Sequence, residues 1–163
     1  MLTRSRLVML FICVATVAAT LCAQKYTGPK PPKTDVLYLV HADNLIPTEV
    51  ADSKQESKKN DVTYTIPGTS SPARTPLAEP IFIIDGDKIQ PQSLELYKLD
   101  VKSGHREVTT ALRRTRNGQK ALRLSVTRLD KNLYRVEVDE QIENGEYGIS
   151  PNGSSTVFCF EVY

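Results

Sequence analysis

The chain has 163 residues, with 21 Lys and Arg against 19 Asp and Glu, three cysteines and no tryptophan. A formal net charge of +2 gives no reason to expect a polyanionic partner, and this length is sufficient for a single domain with its own apolar core.

Residues 1–23 have the order of a secretory signal peptide, in which a short positive segment precedes an apolar stretch and small residues. The apolar stretch at 7–21 has 15 residues and no charge, whereas a helix that spans a bilayer needs ~20. We therefore expect cleavage after Ala23, export to the periplasm or the extracellular space, and no membrane span in the mature chain.

Cys22 leaves lipid attachment open, because bacterial lipoproteins are cut just before a cysteine that is then acylated. Leu21 stands where such proteins usually have a small residue, so we prefer cleavage after Ala23. That cleavage would leave 140 residues, one thiol and 19 residues of each charge, hence a net charge of zero and no internal disulfide.

The mature chain is expected to begin with an extended arm and to continue as one β domain over 35–163. The arm, 24–34, has prolines at 29, 31 and 32, which favour extended backbone. A first strand is predicted at 35–42. For 47–59 two structures stay open: a short helix, or the outgoing strand of a hairpin that returns at 61–66. We prefer the hairpin, because the segment has too few apolar residues for the buried face of a helix.

Four prolines between 67 and 80 exclude a helix and most strand pairing, so this segment is predicted to cross between two sheets. From Ile81 onward, short apolar runs are separated by turn residues every 8–14 positions, a spacing typical of β-sandwiches and barrels. The predicted fold class is all-β, as a single antiparallel β-sandwich of immunoglobulin-like type with the proline-rich arm at its N-terminus.

Two turns within 107–139 predict strand register, because a shift of one residue would move every apolar side chain to the other face of a sheet. A three-residue loop of Arg116, Asn117 and Gly118 pairs Leu112 with Leu122, Thr110 with Leu124 and Val108 with Val126. A second turn, centred on Lys131, pairs Leu124 with Val138, Val126 with Val136 and Arg128 with Tyr134. Together the two turns predict a meander within the sandwich.

Positive charge is concentrated in one part of the chain. Residues 98–135 contain 11 Lys and Arg against three acids, whereas 136–163 contain six acids and no base. One interpretation is that the predicted hairpin 113–123 binds a polyanion or a glycan through Arg113, Arg114, Arg116, Lys120 and Arg123. The other is that neighbouring strands neutralise each other. Export also removes nucleic acid from the expected partners.

No residue pattern in the sequence predicts catalysis, a metal site or a cofactor. His41 and His105 do not have the close spacing of metal ligands, and "DGD" at 85–87 is without the spaced oxygen ligands and distal glutamate of a calcium loop. There is no G-x-S-x-G segment and no glycine-rich phosphate loop, so we do not expect an enzyme. The absence of tryptophan also disfavours a carbohydrate-binding module that stacks sugars on aromatic rings.

Cys159 lies in the last apolar run, "TVFCFEVY", both of whose faces are largely apolar. Such a strand is expected to pack on both sides, and free cysteine is among the most buried residue types. A buried thiol has a raised pKa and reacts slowly, so we predict that Cys159 is a structural thiol.

The segments "NGEYGIS" and "STVFCFEVY" together resemble the last two strands of exported β-rich bacterial proteins with no assigned activity, in which a Gly-Glu-Tyr strand precedes a Phe-Cys-Phe strand. The resemblance implies an envelope location and a sandwich fold, and it brings no catalytic residues. We therefore expect an exported, non-enzymatic binding or structural module of the cell envelope. Its expected partner is another envelope protein, engaged through a sheet edge or the arm.

Overall fold

A computed structural model describes residues 26–111 and 118–163 of the chain. The predicted signal peptide at 1–23, with Cys22, lies outside these residues. Within them the strands form two largely antiparallel sheets, which confirms the all-β class. A short 3₁₀ segment, Pro91–Ser93, precedes the eighth strand. The strands are β1 (Tyr38–His41), β2 (Asn44–Pro47), β3 (Glu49–Asp52), β4 (Lys54–Lys58), β5 (Asp61–Pro67), β6 (Arg74–Thr75), β7 (Ile81–Asp85), β8 (Leu94–Lys102), β9 (His105–Ala111), β10 (Leu124–Arg128), β11 (Leu133–Val138), β12 (Gly145–Pro151) and β13 (Thr156–Val162).

No stretch of the described residues forms a helix with the length and apolarity that crossing a bilayer requires.

The first sheet has five strands in the order β10-β11-β7-β1-β2, and every neighbouring pair is antiparallel. Its β10–β11 hairpin has the register predicted from the turn at Lys131. Leu124 lies opposite Val138 and Val126 opposite Val136, so this prediction is confirmed. These apolar pairs share one face of the sheet because side chains alternate along a strand.

The second sheet, which we call the half-barrel, follows the order β3-β13-β12-β8-β9-β5-β4, with the two-residue β6 alongside β13. Its two ends are consecutive in the chain, since only Ser53 separates β3 from β4. The extended segment 49–58 therefore pairs with β13 through its first half and with β5 through its second. A sheet whose two ends belong to one continuous segment must curl, and the curl gives the half-barrel an interior.

Two predictions about the path of the chain are confirmed. β4 and β5 form an antiparallel hairpin that turns at 59–60, so the segment 47–59 is extended and the alternative of a helix is wrong. Lys59, at the tip, has a left-handed φ of 57°, as a tight turn requires. The proline-rich segment 67–80 leaves β5 in the half-barrel and enters β7 in the first sheet, as predicted for a crossover.

The predicted hairpin between β9 and β10 is wrong. β9 pairs with β5 and β8 in the half-barrel, where Val108 lies opposite Tyr64, whereas β10 belongs to the first sheet. Leu122 forms an isolated bridge to Leu96 of β8. The alternation in β9 suits any partner that buries the same face, and β5, distant in sequence, pairs along the whole of β9. Arg116 and Asn117 of the predicted loop lie outside the described residues, as does Leu112, which was predicted to pair with Leu122.

One core contains residues of both sheets, among them Phe82 of the first sheet and Tyr147 and Phe160 of the half-barrel. The ring centroids of Phe82 and Phe160 lie 4.9 Å apart, and those of Tyr147 and Phe160 lie 5.5 Å apart. The interior of the half-barrel holds a second core of Ile66, Leu99, Val108, Val157 and Cys159. The central strands β8, β12 and β13 therefore bury side chains on both faces.

Candidate functional site

The interior of the half-barrel contains, in order along its length, a cluster of polar side chains, an apolar core and a cavity. At one end, which we call the closed end, four polar residues meet: Glu49, Ser71, Arg106 and Glu146. The apolar core of the half-barrel lies next to it. At the other end, which we call the mouth, a cavity is bordered by hydroxyl groups, one carboxylate and a turn at 151–154. The strand register produces this order, because side chains two positions apart on β5, β9 and β12 line successive levels of the same interior.

The closed end is organised around Arg106, whose side chain has no exposed surface. Its Nη1 and Nη2 donate to the two carboxylate oxygens of Glu49, both at 2.9 Å, and Nη1 also donates to Oε2 of Glu146 at 3.2 Å. Nε and Nη2 donate to the carbonyls of Gly68 and Pro67 at 3.1 and 2.9 Å. Since the crossover supplies these carbonyls, Arg106 joins it to β3, β9 and β12, and a buried charge with this many partners has a structural role.

Cys159 lies beside the closed end and is fully buried. Burial raises the pKa of its thiol to about 12, although the Arg106 guanidinium opposes this shift. A thiol with such a pKa stays protonated at neutral pH and is a poor nucleophile. The burial agrees with a strand that packs on both faces, and the assignment of a purely structural role stays a prediction.

The cavity at the mouth has a volume of about 120 Å³. Its deeper walls are apolar and come from the second core, while exposed turn residues such as Asn152 and Gly153 border the side that opens to solvent. The lining residues are Ser53, Tyr64, Ile66, Glu95, Tyr97, Leu99, Val108, Thr110, Gly148, Ser150, Pro151, Asn152, Gly153, Ser154 and Val157. An apolar cavity with a polar rim is suited to hold a small molecule in a fixed orientation.

Gly148 lies in the middle of β12 and lines the cavity. A Cβ at this position would meet Cγ1 of Val157 at 2.8 Å and Cδ1 of Leu99 at 3.5 Å. A glycine inside a strand weakens the strand and often marks a site where a ligand or another chain segment approaches closely. At this position the missing side chain leaves room for the cavity.

The polar groups of the rim hold one another in place. Tyr97 Oη donates to Oε2 of Glu95 at 2.9 Å, and Ser150 Oγ donates to the carbonyl of Thr156, also at 2.9 Å. Burial, together with the hydrogen bond to Glu95, raises the pKa of Tyr97 to about 12, so this phenol keeps its proton at neutral pH. These contacts fix the rim on two neighbouring strands of a sheet, β8 and β12, which makes it a rigid platform for binding.

The structure does not assemble the anion-binding set predicted from the sequence. Arg113, Arg114 and Arg116 lie outside the described residues, and Lys120 is exposed. Arg123 is exposed and donates to the carbonyl of Asp139 at 2.9 Å, with Oε1 of Glu140 at 3.9 Å from its Nε. Arg135 forms an ion pair with Glu137 at 2.7 Å. Each of these two arginines lies beside an acidic side chain, but the partner of Arg135 is on its own strand, β11, and not on a neighbouring one.

Two features of the interior were missed by the sequence analysis, namely the closed end and the cavity. Arg106 could have been found, because it occurs at an inward position two residues before Val108, and a charged residue on such a face signals a buried ion pair. Glu95 and Tyr97 share one face of β8 in the sequence, but nothing local shows that this face borders a cavity. Among the described residues, no group of three or more His, Cys, Asp or Glu side chains is arranged to hold a metal ion.

Comparisons with protein-family models, with curated proteins and with solved structures give no match to this chain. The class of site therefore follows from its geometry alone. A small cavity with apolar walls, a hydrogen-bonded rim and an opening to solvent has the geometry of a binding site for a small molecule.

Proposed function

We propose that the protein is an exported, non-enzymatic binding module of the cell envelope, whose ligand is a small molecule held at the mouth of the half-barrel. The observation that supports this proposal is the cavity of about 120 Å³ on rigid strands, with an apolar interior and a polar rim. Export and envelope location rest on the order of charged, apolar and small residues in 1–23.

The binding proposal is tested by nuclear magnetic resonance titration of the purified protein with benzyl alcohol, which has one ring and one hydroxyl. Saturable shifts are expected at residues that line the cavity, with a Kd of about 1 mM or tighter. The variant Val157→Phe fills the cavity and is expected to abolish these shifts. The control Val50→Phe adds the same ring at a position on β3 that is 54% exposed, and it should leave binding unchanged.

The absence of saturable shifts in the wild-type protein, both with benzyl alcohol and with ring compounds of the same size that have a charged group, would overturn the proposal. So would retention of the same shifts in Val157→Phe, because the ligand would then bind elsewhere. Both variants first need a dispersed spectrum, which shows that they fold. Should Val157→Phe not fold, Thr110→Phe provides a second substitution in the cavity lining, at a position that is not fully buried.

An alternative is a polyanion or glycan binder that uses the segment 113–123. The strands before and after this segment, β9 and β10, belong to different sheets. What supports the alternative is the density of arginine in the sequence and the exposure of Lys120 and Arg123. Salt-sensitive retention on an anionic polymer that is lost when Arg113, Arg114 and Arg116 are changed to Ser would favour it over the cavity.

The finer parts of the fold and location assignments remain proposals as well. The core between two antiparallel sheets supports a sandwich of immunoglobulin-like type, and the exposed Pro29 and Pro32 support an extended arm. A partner protein in the envelope would add to a sheet edge, such as that of β4, whose five residues are all exposed. Attachment through an acylated Cys22 is the alternative to a soluble exported chain.

A further inference from the structure

Three of the hydroxyl groups that line the cavity, those of Ser53, Tyr97 and Ser150, already donate their protons to the protein, whereas Ser154 Oγ accepts from the backbone N–H of Thr156. Tyr97 donates to Glu95, Ser150 donates to the carbonyl of Thr156, and Ser53 donates to the carbonyl of Ser155 at 3.0 Å. Each acceptor is a carbonyl or a carboxylate oxygen, so the direction of donation is fixed by chemistry.

A hydroxyl has one proton and two lone pairs. Because the protein already uses these three protons, Ser53, Tyr97 and Ser150 have only lone pairs left to offer to a molecule in the cavity. This part of the rim accepts hydrogen bonds, and a matching ligand has to donate them.

The charged group at the mouth also favours a ligand that donates hydrogen bonds. Within 26–111 and 118–163, Glu95 is the only charged residue that lines the cavity, and its carboxylate takes part in no ion pair. A carboxylate can accept about four hydrogen bonds, of which Tyr97 supplies one. The aromatic rings of Tyr64 and Tyr97 also border the cavity, and the faces of such rings attract cations.

The volume limits the size of the apolar part of the ligand. A dry apolar cavity of about 150 Å³ holds one benzene molecule. The cavity of about 120 Å³ is smaller and open to solvent, so it has room for one ring or a short chain at most, and the polar end of the molecule must remain at the rim. The apolar part would contact Leu99, Val108 and Val157.

We propose that the ligand of this cavity is a small organic cation, in which an ammonium group is attached to a single ring or a short apolar chain. This inference rests on the proposed function, because it specifies the ligand class of the same site. The ammonium group donates hydrogen bonds to Glu95 and to the phenol oxygen of Tyr97, and the apolar part fills the cavity behind them.

The test compares three probes that share a ring and differ in the charge of the attached group: benzylammonium, benzyl alcohol and benzoate. Each is titrated into the purified protein at neutral pH and physiological ionic strength, with nuclear magnetic resonance as the readout. Benzylammonium is expected to bind at least about tenfold more tightly than benzyl alcohol, since a hydrogen bond to a charged group is stronger than one between neutral groups. Benzoate is expected to bind most weakly, because Glu95 repels it.

Two variants test whether the preference for benzylammonium over benzyl alcohol comes from the carboxylate at the rim. Glu95→Gln keeps the shape of the side chain and removes its charge, and it is expected to reduce the preference for benzylammonium over benzyl alcohol to within about twofold. Glu107→Gln is the matched control: Glu107 is a half-buried carboxylate on the neighbouring β9 that contacts His105 and lies outside the cavity lining. This control should leave the preference unchanged.

The outcomes separate the two proposals. Equal binding of benzyl alcohol and benzylammonium, or tightest binding of benzoate, would overturn the ligand class while the proposed binding function stands. An undiminished preference in Glu95→Gln would also overturn it. If none of the three probes gives saturable shifts at the cavity, the proposed function fails and the ligand class fails with it.

Discussion

Polar side chains at the two ends of the half-barrel interior differ in how many of their possible hydrogen bonds are made within the protein. At the closed end, each of the three guanidinium nitrogens of Arg106 donates to an oxygen of the protein. At the mouth, Tyr97 donates its proton to Glu95, but its lone pairs and most of those of Glu95 have no partner among the described residues. A polar group whose hydrogen bonds are complete can only stabilise the fold, whereas one with unused capacity is available to a ligand.

One strand connects the two ends. On β12, Glu146 belongs to the closed end, Gly148 leaves room for the cavity and Ser150 belongs to the rim. The three residues are two positions apart, so they face the same interior at successive levels. Residues that stabilise the fold and residues that border the cavity therefore lie only a few positions apart on one strand. Substitutions at these levels should affect stability and binding differently.

The largest loss of stability is expected from a substitution at the closed end. Arg106→Met removes the guanidinium and leaves Glu146, which is 5% exposed, without its cation. Removal of one partner of a buried ion pair destabilises a protein by ~3–5 kcal/mol, because the other charge stays buried and unpaired. The free energy of unfolding, measured by urea denaturation, should fall by this amount, while the fraction that remains folded should still bind benzyl alcohol.

The control for this variant is Lys98→Met, which breaks the ion pair between Lys98 and Glu143. The Glu143 side chain is 87% exposed, and exposed ion pairs contribute only ~0–1 kcal/mol. A second substitution, Glu146→Gln, added to Arg106→Met should recover part of the lost stability. Equal losses of stability in Arg106→Met and Lys98→Met would mean that the buried ion pairs of Arg106 contribute no more than an exposed one.

An intermediate effect is expected at Gly148, between the two ends. Gly148→Ala places a methyl group 2.8 Å from Cγ1 of Val157, and overpacking of this kind costs ~1–3 kcal/mol. Val157→Ala removes the clashing methyl group, so a double-mutant cycle should show that the two substitutions together cost less than the sum of their separate costs. Additive costs, or a Gly148→Ala protein as stable as the wild type, would show that the glycine does not define the cavity.

The sequence predicts parts of this fold where the deciding partner is local. The β10–β11 register follows from one turn and from the alternation of apolar residues on strands that are neighbours in sequence. The same reasoning fails for β9, because β9 pairs with β5, which lies well before it in the chain; Tyr64 of β5, for example, lies opposite Val108. Alternation shows which face is buried, but it does not identify the strand that covers the edge.

The candidate site is less accessible to prediction than the fold. The alternation of Glu95, Tyr97 and Leu99 on one face of β8 is visible in the sequence. That this face lines an interior, however, depends on the closing of the half-barrel by the segment 49–58, which pairs with β13 and β5 at distant points of the chain. A cavity is a property of several elements together, so no local pattern reports it. The burial of Cys159, by contrast, follows from its own strand.

The smallest loss of stability is expected from a substitution at the mouth. Tyr97→Phe removes one hydrogen bond at a partly exposed rim and should lower the free energy of unfolding by about 1 kcal/mol or less at neutral pH. Its clearer signature is in the titration of the phenols. The wild-type protein should contain a tyrosine with a pKa of about 12, seen by the ultraviolet absorbance of ionised phenol, and the variant should not show that step.

The pH dependence of the free energy of unfolding provides a second test of Tyr97 at the mouth. The pKa of Tyr97 is raised from 10.0 to about 12 in the folded protein, so its neutral form contributes stability below a pH of 10 that is lost as the pH rises towards 12. In that window the wild type should lose stability more steeply than Tyr97→Phe, whereas Tyr163→Phe, at a position that is 53% exposed, controls for the loss of one phenol. If the slopes of wild type and Tyr97→Phe coincide, burial and the hydrogen bond to Glu95 do not raise the pKa of Tyr97, and its phenol proton would then be free for a ligand, contrary to the acceptor role inferred for it above.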